Sequence, residues 1–288
     1  MQSYIDCIPC FSQQALGALR EVVDDEATAL RIMRRTLTAS AQFDLAEPPP
    51  AMAQQIHRIV REETGHRDPY ETIKVRSTAF ALGLLDEARV LVSGSVDPFK
   101  MALRFSIAGN ILDFGIHSKW NQLNLADFLE ETRLKPLNEE AVAILHKAVK
   151  AARTILVLGD NAGETVFDRL LIEQMAHARI LYAVKGAPVI NDATLADARA
   201  AGLERVAELI DNGTDAPGTI LSQCSDAFRM RFDKADLVIA KGQANYETLS
   251  KAPRPLFFLT QVKCPVIARD LGEPVGSWIV KFHSGSTP

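Results

Sequence analysis

Beyond residue 150 the chain alternates short, unbroken apolar runs with amphipathic stretches, and this restricts the fold more than any other feature. The runs Thr154–Leu158, Ile180–Val184, Arg205–Ile210, Leu237–Ala240, Leu256–Leu259, Pro265–Ala268 and Trp278–Phe282 read as strands. Helical patterns separate most of them: Glu164–Ala178, Asp192–Ala201, Thr219–Asp233 and the short NYETLS. Apolar strands joined by helices are buried on both faces, which makes a mostly parallel sheet with helices on both sides. Before residue 150 the pattern is helical throughout. One helix is expected over Ser12–Met33, where Leu16, Leu19, Val23, Ala27, Leu30 and Met33 fall at helical spacing, and Pro48–Pro50 stops that region. Others follow at Ala51–Gly65, Thr72–Val92, Asp97–Ala108 and from Asn138 through Ala152, with Asp97 and Pro98 as N-cap and first turn. The expected organisation is an all-helical N-terminal domain, 1–150, followed by an α/β domain, 151–288, that carries the site.

The formal net charge of -4 offers no basic excess for a nucleic-acid partner. No apolar run approaches the roughly 20 residues of a membrane span, and MQSYIDCIPC lacks the pattern of a signal peptide, so a cytoplasmic location is expected. Four cysteines are too few for a disulfide scaffold in a chain of 288 residues. Cys7 and Cys10 form a C-x-x-C with no second pair or histidine pair to complete a zinc site, and structural, redox and accessory-metal roles all remain open to them.

The polar residues at the strand ends carry the functional information, because open α/β sheets bind ligands outside the carboxyl ends of their strands. The first strand runs into Gly159-Asp160-Asn161 and the second into Lys185-Gly186, with Asn191-Asp192 shortly after. The third ends in Asp211-Asn212-Gly213, the fourth in Lys241-Gly242, the fifth near Thr260 and Lys263. Carboxylate and amide oxygens suit a hard divalent cation, and lysines beside it suit an anion such as phosphate. Taken singly, each position has a plainer explanation. Asn161 with Glu164 fits a capping box, Asn191 or Asp192 can cap the next helix, and Lys-Gly is a common exit turn. Capping does not explain acids and bases alternating across five strand ends. No G-x-G-x-x-G, Walker-type loop or G-x-S-x-G elbow follows a strand, so dinucleotide, P-loop and serine-hydrolase chemistry are excluded.

The segments L-G-D-N-A-G-E, K-G-A-P-V-I-N-D-A-T, K-G-Q-A-N-Y-E-T-L and V-K-C-P-V-I-A-R-D-L-G, with S-I-A-G-N-I-L-D-F-G earlier and the C-x-x-C, occur in order from Cys7 to about Gly272. Together they resemble the metal-dependent damage-control phosphatases, formerly domain of unknown function 89, in their prokaryotic branch. The resemblance implies a helical part packed on a Rossmann-like three-layer α/β/α part. It implies one divalent metal ion (manganese, cobalt, nickel or magnesium) on Asp160, Asn161 and Asp192. Asp160, Asp192 and Lys241 would be the catalytic residues, while Lys241, Lys263, Asn245, Asn110, Asp113 and Asp215 would line the substrate site. For Asn110 and Asp113 the alternative is an ordinary helix C-terminus. Ala244 departs from the glycine usual in K-G-x-x-N. The implied reaction is hydrolysis of small phosphate monoesters, sugar phosphates or damaged phosphometabolites, by metal-activated water. A carboxyl methyltransferase and a non-catalytic binder of metal or phosphometabolite are the alternatives. The expected partner is a small phosphorylated metabolite, with neither nucleic acid nor membrane involved. Oligomeric state is not legible in the sequence.

Overall fold

The computed structural model describes residues 1–109 and 125–286. Helices α1 (Cys7–Val22), α2 (Glu26–Ala41), α3 (Pro49–Thr64), α4 (Glu71–Ser93), α5 (Pro98–Ala108), α6 (Leu125–Leu134) and α7 (Glu139–Ala151) precede the first strand. The expected helix over Ser12–Met33 is two helices. Asp25 interrupts it by accepting hydrogen bonds from the N–H groups of Ala27 and Thr28, which starts α2 afresh. Asp97 and Asn138 cap α5 and α7 as their positions predict, accepting from Lys100 N and Ala141 N.

The second half alternates β1 (Thr154–Leu158), α8 (Glu164–Glu173), β2 (Arg179–Val184), α9 (Leu195–Ala200), β3 (Glu208–Asp211), α10 (Asp226–Lys234), β4 (Leu237–Lys241), α11 (Gly242–Leu249), β5 (Leu256–Gln261), α12 (Pro265–Leu271) and β6 (Trp278–His283). Pro265–Ala268, expected as a strand, opens α12 instead: proline at the first helical position is pre-set for a helix and cannot donate within a sheet. Ser225 caps α10 and so divides the expected helix over Thr219–Asp233 into a short 3-10 turn and α10.

The six strands lie in the order β3-β2-β1-β4-β5-β6. β1 to β5 are parallel, and β6 pairs antiparallel with β5. This is an α/β fold with a mostly parallel sheet. Side chains alternate across it. Ile155, Val157, Tyr182, Ile239 and Phe257 face one hydrophobic layer, while Leu156, Leu158, Leu181, Val238 and Phe258 face the other. The first layer also includes Leu84, Ala88, Phe105 and Ala108 from α4 and α5, so the apolar core continues across residue 150. Because α4 and α5 pack on its outer side, α8 is buried all round, from Glu164 to Ile172.

His57 on α3 is 1% exposed, and its Nε2 has no hydrogen-bond partner among the described residues. Burial, reinforced by the Arg61 charge, pushes its pKa down from 6.5 to about 3. The unfolded chain takes up that proton near 6.5 and the folded protein only near 3, so the unfolded state binds more protons throughout the window. Stability contributed by neutral His57 is therefore complete above 6.5 and is lost as pH falls towards 3. Replacing His57 with Phe is expected to flatten the acid limb of a melting-temperature profile over that interval, removing up to about 5 kcal/mol of pH dependence. An unchanged slope would contradict this.

Candidate active site

The strand order reverses between β1 and β4: the chain leaves β1 for β2 and β3 on one side, then crosses to β4 and β5 on the other. The crevice at that switch point is where a doubly wound sheet binds ligands. Asp160 and Asn161 follow β1 directly into it. Asp192 comes from the β2–α9 connection, which folds back on them. Asn161 and Asp192 form an antiparallel bridge, Ala193 N donates to Asp160 O at 2.8 Å, and Ala162 N donates to Asn191 O at 2.9 Å. Asn161 Nδ2 donates to Asp160 Oδ2 at 3.3 Å. All three side chains are buried, at 6%, 4% and 4% exposure.

None of the three caps a helix. The N-cap of α8 is Gly163, with no side-chain hydrogen bond, and α9 is capped by Thr194, whose N–H donates to Asp197 Oδ2 at 2.8 Å. Just before Asn191, Ile190 has φ 45°, a left-handed conformation that a β-branched residue rarely adopts. That local strain sits on the segment presenting Asp192. From the other side of the crevice, Gly242 opens α11 with φ 78°, and a Cβ there would stand 1.9 Å from Asp160 Oδ2. The Asp160 carboxylate thus rests on the backbone at the N-terminus of α11, where the helix dipole favours negative charge.

Two lysines at strand ends are buried and have different surroundings. Lys185 Nζ donates to Gly218 O at 2.6 Å and stands 3.4 Å from Asp192 Oδ2. Lys241 turns inward beneath the rim: its ammonium binds Glu164, Asp168 Oδ1 at 2.6 Å and Ser106 O at 2.9 Å. Burial opposes its charge, but the Asp168 and Glu164 carboxylates outweigh burial and raise its pKa above the ordinary lysine value. Burial also raises the Glu164 carboxyl to about 7, against the opposing pull of Lys241.

The remaining expected site residues are placed differently. Asn245 ties three segments together: Nδ2 donates to Lys241 O at 2.7 Å and Gly159 O at 3.3 Å, and Oδ1 accepts from Thr219 Oγ1 at 2.7 Å. Asp215 faces α3, where Arg58 Nε at 2.9 Å, Arg61 Nη2 at 2.5 Å and Gln54 Nε2 at 2.8 Å donate to it. Burial raises its pKa, but those hydrogen bonds and the arginine charges prevail and hold it at about 2. Lys263 is exposed on the β5–α12 loop, its N–H donating to Gln243 Oε1 at 3.3 Å. Asn110 and Asp113 lie outside the described residues. The structure therefore brings Asp160, Asn161 and Asp192 together with Lys185. It engages Lys241, Asn245 and Asp215 in bonds within the protein. Asp215→Asn is expected to lower stability by about 2 kcal/mol, because it weakens the arginine pairs docking α3 on the β3–α10 loop. It should leave the cation affinity of the crevice unchanged, which melts and calorimetry would check.

Sequence reasoning named Lys185 only as a strand end and missed Asp168. Glu164 and Asp168, spaced i, i+4, share a helix side with Thr165, Arg169 and Glu173 that reads in the sequence as an ordinary polar face, and only the fold buries the pair.

A family model for the Damage-control phosphatase ARMT1-like domain matches residues 3–279. The chain belongs to that family. It is 36% identical to a damage-control phosphatase of Archaeoglobus fulgidus over 96% of this chain and 97% of that protein. It is 32% identical to a damage-control phosphatase of Pyrococcus horikoshii over 97% of each. An uncharacterized protein of Methanocaldococcus jannaschii is 33% identical over 94% of this chain and 92% of its own length. In three dimensions the family likeness is equally complete: a crystal structure of a DUF89 family protein of P. horikoshii superposes with a TM-score of 0.87 at 30% identity, covering 97% of this chain and 98% of that one.

Proposed function

We propose that this chain is a divalent-metal-dependent phosphatase that hydrolyses a small phosphate monoester, with the metal held by Asp160, Asn161 and Asp192. One observation carries the reading: four carboxylates are buried together at the switch point. Asp160, Glu164, Asp168 and Asp192 are each at most 6% exposed, and the ammonium groups of Lys185 and Lys241 stand among them. Among these six groups carboxylates outnumber ammonium ions, and burial already holds the Glu164 carboxyl up at about 7. Removing an ion from water costs several kcal/mol even after relaxation, so buried charge requires a counter-charge. A single divalent cation supplies it.

The donor set fits such an ion. Among the described residues no three His, Cys, Asp or Glu side chains group as metal ligands, so the Asn161 amide is needed as the third donor beside the two carboxylates. Three oxygens favour a hard or borderline ion, which suits magnesium, manganese, cobalt or nickel. When bound, the ion supplies Lewis-acid polarisation of a phosphoryl group. The protein supplies the rest. Lys185 places positive charge next to Asp192. Asn245 locks the ends of β1 and β4 at fixed separation, which holds Asp160 against α11. Such preorganised charge is the main resource for phosphoryl transfer, where little covalent work falls to the protein. The family's damage-control phosphatases support the reaction class, and a small phosphorylated metabolite is the substrate class that follows.

A phosphate-release screen over a panel of phosphomonoesters, using chelator-stripped protein with each divalent ion restored in turn, tests the reading. Release is expected for at least one ester, only with an ion restored. Turnover that persists in chelator, or no release with any ion, would contradict it.

A further inference from the structure

Asp168 lies one helical turn beyond Glu164, so the two carboxylates leave α8 from the same face. It is 1% exposed, and both its oxygens are taken: Ser106 Oγ and Lys241 Nζ each donate to Oδ1 at 2.6 Å, and Tyr182 Oη donates to Oδ2 at 2.6 Å. Lys241 in turn has one acceptor for each of its three N–H groups, namely Glu164, Asp168 and Ser106 O. Both residues are thus saturated by the protein itself. What each has left to act with is its charge.

The charges are close enough to matter. Tyr182 Oη, bonded to Asp168, lies so near the residue before Asp160 that a Cβ on Gly159 would stand 2.7 Å from it. Glu164 bridges the remaining gap, within electrostatic range of both Asp160 and Asp168. The residues of this layer are at most 1% exposed, so the effective dielectric is nearer 20 than 80.

We propose that Asp168 and Lys241 are an opposed pair that sets the pull of the crevice on a divalent cation, Asp168 strengthening it and Lys241 restraining it. The proposal rests on the reading of Asp160, Asn161 and Asp192 as the cation's ligands. It makes Asp168 and Lys241 positioning residues for charge. A purely structural role for the network predicts that any damage to it weakens binding. The opposed-charge role predicts that removing both charges together restores binding.

The test is Mn²⁺ titrated calorimetrically into chelator-stripped protein at fixed ionic strength. Asp168→Asn keeps the shape of the side chain and an oxygen for Lys241. It is expected to bind one ion per chain with a Kd roughly tenfold or more weaker than wild type. The double variant Asp168→Asn with Lys241→Met removes one charge of each sign and is expected to return within about threefold of wild type, since the net charge of the layer is the same. Asp168→Asn binding as tightly as wild type, or the double variant binding no better than Asp168→Asn, overturns the proposal while leaving the metal site intact. Wild type binding no Mn²⁺ overturns the metal site and the proposal with it.

Discussion

Asp192→Asn is expected to lower kcat/KM for metal-dependent phosphate release by about a thousandfold, and Asp160→Asn to do the same, with the fold retained. Asparagine keeps the volume of each side chain, so no cavity opens in a crevice whose walls are close-packed. It removes one of four buried carboxylate charges, which relieves the repulsion among them in the ion-free protein. Lys185 keeps its bond to Gly218 O in the Asp192 variant. The stability of the chelator-stripped variants should thus match or exceed that of wild type, whereas stabilisation by added ion should vanish. Phosphate-release kinetics and melting curves with and without ion separate the two effects. A variant that keeps a tenth of wild-type turnover, or that melts well below wild type without ion, would show that the carboxylate serves the fold.

Gly242→Ala should be nearly as damaging, although it alters no polar group. The φ of 78° at Gly242 disfavours any side chain, and the added Cβ would lie 1.9 Å from Asp160 Oδ2. Either the carboxylate swings off the helix end or α11 is displaced, and both disturb the crevice. Gly272 is the internal control: its φ is 72°, but nothing lies within 4 Å of an added Cβ. Gly272→Ala is expected to cost about 1 kcal/mol of stability through backbone strain alone and to bind Mn²⁺ as wild type does. Gly242→Ala should lose at least a further 1 kcal/mol and weaken Mn²⁺ binding by about a hundredfold. Equal behaviour of the two variants in calorimetry would mean that Asp160 does not depend on its seat against α11.

The sheet was readable in the sequence because buried parallel strands are continuous apolar runs, and their ends fall on Gly, Asp, Asn and Lys. Strand order was not readable, since pairing depends on contacts remote in the chain. The position of the crevice between β1 and β4 emerged only with the fold. Where the reading failed, local chemistry decided: Asp25 restarts a helix inside an unbroken apolar stripe, and Pro265 opens a helix from what looked like a strand. At the site, Asp160, Asn161 and Asp192 were visible as polar residues just past strand ends, and the structure removes the capping explanation by giving those caps to Gly163 and Thr194. The layer beneath was out of reach. Ser106, Glu164, Asp168, Tyr182 and Lys241 come from α5, α8, β2 and β4, and no spacing along the chain links them. Asp215 shows the converse error, a carboxylate in a pocket-like loop whose partners are the arginines of α3.

The most direct measurement is a crystal structure of the protein grown with Mn²⁺, with anomalous scattering recorded to locate the ion. The account predicts one strong peak per chain, within about 2.0–2.4 Å of oxygens from Asp160, Asn161 and Asp192. A saturated crystal with no peak there, or with these three side chains turned away from an ion bound elsewhere, would contradict it.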